Sequence, residues 1–239
     1  MTRAVLAVTV ALLSACSSSV EGFARPAALV TTSPQTAAAP LAVEPGHLEP
    51  LALTATDIQT MVGTRPFAVV DPGHKGLSSA PADLARPECA TWITVGLLTS
   101  YTGSGWIDAW VATMQSGPVA IGDPARRYVG QAITAYPFPD AATAALARIA
   151  AEMGKCAQDQ FIDIETAPSW ITDKVVFADP NLVTAYSFEL DAGSWACAHH
   201  FAAKANVVVE MLNCANKDVV RGETRRLVNA ILARVPGRE

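Results

Sequence analysis

The sequence predicts an α+β fold, in which helices pack against a central and mainly antiparallel sheet. Three observations carry this prediction. Apolar, β-branched segments follow one another in the second half of the chain with short turn signals between them, which is typical of antiparallel strands. Two longer segments repeat their apolar residues with helical spacing. Four cysteines lie beyond residue 50, enough for two disulfides within such a fold.

Composition narrows the class of protein. The chain has 239 residues, of which 51% are hydrophobic and 16% are charged, and its net charge is −5. This apolar content excludes a wholly disordered chain. The acidic balance argues against nucleic-acid binding, which needs a basic surface. No interior run reaches the roughly 18 apolar residues that indicate a membrane-spanning helix.

The N-terminal segment has the pattern of an export signal. Arg3 precedes an apolar stretch from Ala4 to Ala15, which is too short to span a bilayer comfortably. Leu13-Ser14-Ala15-Cys16 resembles the lipobox of bacterial lipoproteins, in which the cysteine receives acyl chains such as palmitate and becomes the new N-terminus. Such chains would hold the protein at the extracytoplasmic face of the cell membrane. The alternative is an ordinary secretory signal with an incidental cysteine.

A tether is expected between the signal peptide, residues 1–15, and the domain, residues 51–239. Residues 16–50 are rich in Ser, Thr, Ala and Pro and show no helical or strand period, which favours a flexible spacer. The apolar content rises between Leu41 and Leu53, so an ordered arm lying on the domain is the alternative there.

The first half of the domain alternates short elements with irregular chain. A helix begins at Thr54 or Thr56 and ends at Gly63. Residues 66–87 look irregular, with a turn at Asp71-Pro72-Gly73 and His74 in the same loop. A helix is predicted over residues 88–98. Strands are predicted over residues 106–114 and 127–136, and the second ends before Pro137.

The second half has the stronger periodicity. A helix opens at Asp140 and presents one apolar face that ends with Cys156. The final helix, residues 217–235, also carries one apolar face and ends at Pro236-Gly237. Four strands are expected between these helices, over residues 174–178, 182–190, 195–201 and 206–214.

The cysteine count fits an exported protein. If Cys16 is acylated, four cysteines remain for two disulfides: Cys89, Cys156, Cys197 and Cys214. Three pairings can form. Because Cys197 and Cys214 lie in consecutive strands, we favour a bridge between them, which leaves Cys89 with Cys156. Zinc is the weaker alternative, because Cys197 and His199 are separated by one residue rather than by the usual two to four.

The candidate ligand-binding residues are Trp106, Asp108, Trp110 and His199. On one strand, Trp106, Asp108 and Trp110 would share a face and form an aromatic cleft wall with a carboxylate. His199 and His200 would point to opposite faces, so at most one faces the core. The alternative is that the tryptophans are core residues and the histidine is structural.

From Cys89 onward the chain resembles the extracellular sensor domain of mycobacterial PknH-type Ser/Thr kinases, a family that also includes free-standing lipoproteins. The matching segments are Val129–Ile133 with Tyr136-Pro137, Ala144-Ala145 with Cys156, Trp170, Ala196-Cys197, Asn206–Glu210 through Cys214, and the final helix. The resemblance implies an α+β domain with a central antiparallel sheet, the two disulfides paired as above, and a large cleft for an unidentified ligand. The chain has no Gly-rich loop, HRD or DFG motif of a kinase.

We therefore expect a membrane-anchored envelope lipoprotein whose domain binds a small or lipidic envelope molecule, or a partner protein, without catalysis. No catalytic, cofactor or metal residue is assigned, because nucleophile elbows, HExxH and phosphate loops do not occur. One alternative is an enzyme acting on envelope glycans or lipids, which would need convergent carboxylates or a Ser–His pair. The other is a purely structural interaction module.

Overall fold

The structure is a computed structural model that describes residues 41–63, 66–79, 86–116, 126–162, 169–190 and 194–237. The predicted signal peptide and Cys16, the predicted acylation site, lie outside the described residues, as does most of the predicted tether. Within the described ranges, no helix is long and apolar enough to cross a membrane.

Nine strands of the described residues form one antiparallel sheet, in the order β1-β2-β3-β9-β8-β7-β5-β4, with β6 also paired to β7. Their bounds are β1 Phe67–Lys75, β2 Asp108–Ser116, β3 Tyr128–Ala135, β4 Gln160–Ile162, β5 Ser169–Thr172, β6 Val176–Asp179, β7 Leu182–Glu189, β8 Trp195–Lys204 and β9 Val207–Asn216. The sheet confirms the predicted α+β fold.

Helices cover both faces of this sheet. Those within the described ranges are α1 Ala55–Val62, α2 Leu98–Tyr101, α3 Pro139–Gly154 and α4 Lys217–Arg234, with two 3-10 helices at Glu49–Leu51 and Pro87–Trp92. Alternation along β9 separates the two cores: Val208 and Leu212 pack with α3, while Val209 and Met211 pack with α1 and α4. We call the side that carries α3 the α3 face, and the side that carries α1 and α4 the α4 face.

Helix α1 begins and ends where the sequence predicts. The Thr54 hydroxyl accepts a hydrogen bond from the Asp57 backbone N–H, and the Asp57 carboxylate accepts one from the Thr54 N–H, which completes a capping box. Gly63 ends the helix with φ of +63°. Arg234 of α4 donates to the Asp57 carboxylate and so ties α1 to α4.

Residues 41–53 form the ordered arm that the sequence allowed as an alternative to a spacer. Val43 and Leu48 are buried on the α4 face. Side-chain amides satisfy the arm's backbone: Asn206 bonds both the N–H and the C=O of Val43, and Gln131 bonds both groups of Leu53. Because these contacts begin at Val43, packed structure starts before the predicted boundary at residue 50.

Both favoured disulfides are present. Cys197 and Cys214 lie directly opposite each other on β8 and β9, with their Cα atoms 4.0 Å apart. Cys89 of the second 3-10 helix is bonded to Cys156, just beyond α3, with Cα atoms 5.6 Å apart. The two bonds therefore join neighbouring strands and clamp the front half of the domain onto α3.

Two predictions for the front half were wrong. Residues 67–75, predicted to be irregular, form the edge strand β1, in which register shifts around Asp71 accommodate Pro72 and Gly73. Proline is tolerated there because an edge strand leaves one side of its ladder unpaired. The helix predicted over 88–98 is instead a 3-10 helix, Pro87–Trp92, followed after a turn by the short α2.

Candidate functional site

The four residues of the predicted ligand cleft do not line one cleft. Trp110 is buried on the α4 face, and Asp108 accepts a hydrogen bond of 2.6 Å from the Gly46 N–H of the arm. Trp106 packs against the core of the α3 face. The expected shared face fails because β2 begins at Asp108, so strand alternation does not extend back to Trp106.

His199 lies in the α3 face, inside a network around a buried carboxylate. Glu210 is 0% exposed, and its Oε1 lies 2.8 Å from Nε2 of His199. Its Oε2 accepts hydrogen bonds from the Tyr101 hydroxyl at 2.7 Å and from the Gly96 N–H at 3.0 Å. These four groups, which we call the Glu210 network, join β8 and β9 to α2 and to the segment before it. This arrangement is a structural tie, closed to solvent.

Glycine is required at position 96 of this network. Gly96 has φ of +68°, and a Cβ atom there would meet the Val111 side chain at 2.5 Å. Its N–H can therefore reach Glu210 only when the residue has no side chain. Burial, and then the charge of Glu210, raise the pKa of Tyr101 well above its ordinary value, so Tyr101 stays a hydrogen-bond donor.

A surface pocket lies on the α4 face, between α4 and strands β6 to β8. It encloses about 110 Å³ and is defined as the α4 pocket by its lining residues: Asp179, Asn181, Leu182, His200, Ala202, Ala203, Arg225, Val228, Asn229 and Leu232. Its base is apolar, and amide, carboxylate and guanidinium groups belong to its more exposed residues. Small-molecule sites combine an apolar lining with a few polar groups in the same way.

His200 is the buried polar residue of the α4 pocket. It is 2% exposed, and its Nε2 lies 3.3 Å from the Tyr186 hydroxyl. Its Nδ1 is buried without a hydrogen-bond partner among the described residues. The pKa of His200 is lowered to about 4. Burial is the largest cause of this shift, and the charges of His199 and Arg225 follow. The imidazole is therefore neutral at neutral pH and has an unused nitrogen.

The sequence correctly predicted that His199 and His200 face opposite sides of the sheet. It missed the partners of both. Glu210 was the available signal for the first, because it is a single carboxylate among the apolar residues 207–212 of β9 and such a group must be paired when buried. The sequence offered no comparable signal for the α4 pocket, whose lining comes from four separate elements.

The zinc alternative fails on geometry. The sulfur of Cys197 is bonded to that of Cys214, and His199 and His200 lie on opposite faces of β8. These three residues therefore cannot converge on one ion. Elsewhere within the described residues, no group of three or more His, Cys, Asp or Glu side chains is placed to hold a metal.

Comparison with known proteins finds kinases as relatives. Over 191 residues the chain is 24% identical to the serine/threonine-protein kinase PknH of Mycobacterium bovis, and equally to that of Mycobacterium tuberculosis. The match covers 77% of this chain but only 30% and 29% of the two kinases. This chain therefore corresponds to less than a third of those proteins.

The fold has a solved counterpart. The crystal structure of the extracellular domain of PknH from Mycobacterium tuberculosis superposes with a TM-score of 0.68, at 19% identity, over 81% of this chain and 96% of that domain. Residues 43–234 match the family described as the PknH-like extracellular domain. The matched range begins at Val43, the first buried residue of the arm, and ends at the last residue of α4. The chain belongs to the PknH-like extracellular domain family.

Proposed function

We propose that this chain is a lipid-anchored protein of the cell envelope whose PknH-like domain acts by binding a small polar molecule in the α4 pocket. The observation that carries the proposal is His200, a buried and neutral imidazole at the pocket whose Nδ1 has no hydrogen-bond partner in the part of the chain that the structure describes. An unpaired buried nitrogen costs stability, of the order of 1–3 kcal/mol, unless a ligand or water pairs with it.

The groups around His200 favour an anionic ligand. Arg225 supplies a cation at the pocket, and its charge already acts on the imidazole. The amides of Asn181 and Asn229 add hydrogen-bond donors. Asp179 would repel a second negative charge and instead suits a hydroxyl or amino group of the ligand. The volume of about 110 Å³ admits a small hydroxy acid, amino acid or head group rather than an acyl chain.

Lactate titration tests the pocket. We expect lactate to raise the pKa of His200 from about 4, because a nearby anion stabilises the imidazolium. NMR titration of the His200 ring signals, with and without lactate, measures the change. Arg225→Gln should weaken lactate binding, seen as this change in the His200 pKa, at least several-fold, since a charge-assisted hydrogen bond is lost.

Arg226→Gln is the matched control, because Arg226 is also exposed on α4 but does not line the pocket. It should leave the titration unchanged. A His200 signal that ignores lactate, alanine and phosphate alike would contradict an anion site. Native mass spectrometry of protein purified from its own membrane would then identify the molecule retained there.

The anchor has a separate test. Cys16→Ala removes the thiol that the lipobox pattern marks for acylation, so we expect the protein to move from the membrane fraction to the soluble fraction. Ser17→Ala, one residue further on, should leave it membrane-bound. Fractionation followed by immunoblotting measures both. If Cys16→Ala still sediments with membranes, Cys16 is not the anchor, and the binding proposal stands independently.

A further inference from the structure

Three side chains at the start of the domain form a hydrogen-bonded chain. Oδ2 of Asp71 lies 2.6 Å from Nδ1 of His74, and Nε2 of His74 lies 3.3 Å from Oγ of Ser78. Asp71 and His74 belong to the edge strand β1, and Ser78 follows it. The sequence pattern predicts His74 in a loop and gives no indication that it contacts Ser78. The enzyme alternative required such a Ser–His pair.

The register shifts in β1 produce this arrangement. Oδ1 of Asp71 accepts a hydrogen bond of 2.9 Å from the Gly73 N–H, which closes a turn inside the strand. Gly73 has φ of +120°, and a Cβ atom there would lie 2.2 Å from the Trp110 indole. Only glycine fits this close approach, and the turn brings His74 back onto Asp71.

Ser78 is held by backbone contacts on both sides. Its N–H donates to the Gly96 carbonyl at 2.9 Å, and its carbonyl accepts from the Leu98 N–H at 2.8 Å. Gly96 in turn donates to Glu210, so the buried network fixes the backbone against which Ser78 is placed. The serine is exposed, and the His74 side chain is 40% exposed, so both are accessible from solvent.

The hydrogen bonds set the roles of the two ring nitrogens. Hydrogen bonds from the Gly73 N–H first, and then from His74, lower the pKa of Asp71, so this carboxylate is charged at neutral pH. A carboxylate beside Nδ1 accepts a hydrogen bond from the Nδ1–H group, which keeps the ring proton on Nδ1 and leaves the lone pair on Nε2 for the Ser78 hydroxyl. This is the order of groups in serine hydrolases, where the histidine acts as general base for the serine.

We propose that Ser78 is a nucleophile that takes an acyl group from an activated ester. Ser78 Oγ attacks the ester carbonyl carbon while its proton passes to Nε2 of His74. The bond from that carbon to the leaving oxygen then breaks, and the leaving group departs with the proton from His74. The products are a Ser78 ester and an alcohol, so atoms and charges balance without any further reactant.

Turnover should be slow. The N–H groups of Gly76 and Ser78 already donate to Ala109 and Gly96, so neither is free to stabilise the oxyanion. Loss of one such donor costs roughly 10²–10³ in rate in serine hydrolases. We therefore expect a lasting acyl-serine rather than rapid hydrolysis. This reactivity goes beyond the binding function, since Ser78 follows β1 whereas the α4 pocket lies at β6 to β8.

The test is acetylation of the purified protein by p-nitrophenyl acetate. We expect one acetyl group per chain, located at Ser78 by peptide mapping, and no such adduct in Ser78→Ala. Ser79→Ala, which removes the adjacent exposed serine, should leave the adduct in place.

Asp71→Asn is the decisive variant. The Asn carbonyl still accepts from the Gly73 N–H, so the turn is kept, but the Asn amide donates to Nδ1 and moves the ring proton to Nε2. His74 can then no longer take the serine proton, and we expect acetylation about 100-fold slower, within the range that general-base catalysis contributes. Equal labelling of Ser78 and Ser79, or a rate unchanged in Asp71→Asn, would overturn the proposal.

Discussion

Glu210→Ala is expected to destabilise the domain by about 3–5 kcal/mol, the usual cost of removing one partner from a buried charged network. The substitution leaves His199, the Tyr101 hydroxyl and the Gly96 N–H buried without their acceptor. It also opens a cavity next to Tyr101. Urea denaturation followed by circular dichroism measures the free energy of unfolding.

Two further variants make this prediction specific. Glu210→Gln keeps an acceptor oxygen and the volume of the side chain. We therefore expect it to lower the free energy of unfolding clearly less than Glu210→Ala does. Glu44→Ala removes an exposed carboxylate from the arm and should change the free energy of unfolding by less than about 0.5 kcal/mol. If Glu210→Ala costs no more than Glu44→Ala, the Glu210 network does not hold the fold.

The second large effect is expected from the double variant Cys89→Ala, Cys156→Ala. The bond closes a chain separation of 67 residues, for which the loop-entropy model gives about 4 kcal/mol. Both cysteines are fully buried, so their truncation adds a packing loss. The hydrogen bond of 2.9 Å from Trp92 Nε1 to the Met153 carbonyl would remain as the link between the 3-10 helix and α3.

The double variant Cys197→Ala, Cys214→Ala is the internal comparison. Its chain separation is 17 residues, for which the same model gives about 3 kcal/mol, and the β8–β9 ladder remains to hold the strands together. We therefore expect this double variant to lose less free energy of unfolding than the Cys89/Cys156 double variant, as measured by thermal and urea unfolding. Peptide mapping without reducing agent checks the linkages directly. A larger loss from the second pair would contradict this ranking.

The sequence predicted the elements that have long, regular patterns. Helices α3 and α4 each bury one continuous apolar face, so their helical period is clear. Strands β8 and β9 are ten residues long and almost wholly buried, so a continuous, mainly apolar segment marks each of them. Strands β4 and β5 have only three and four residues, too few for a period to show. Strand β1 contains Asp71-Pro72-Gly73, which has the composition of a turn and forms one inside the strand.

The sites were harder to predict because they depend on which elements meet. The expected face through Trp106, Asp108 and Trp110 required a strand start two residues earlier than the true one. The α4 pocket needs α4 to cross β8 above His200, which local patterns do not encode. By contrast, the favoured cysteine pairs required only that Cys197 and Cys214 lie in consecutive strands, which left Cys89 for Cys156, and both bonds are present.

Adjacent histidines make the register of β8 against β9 consequential. A shift of one residue would turn every side chain of β8 to the other face. His200 would then lie against Glu210, and His199 would line the α4 pocket. Because a histidine occupies each place in both alignments, these two positions do not by themselves favour the observed register over the shifted one. The Cys197–Cys214 bond excludes the shifted one, because Cys197 would face away from its partner. Oxidation of this pair therefore determines which histidine lies beside Glu210 in the core and which one lines the α4 pocket.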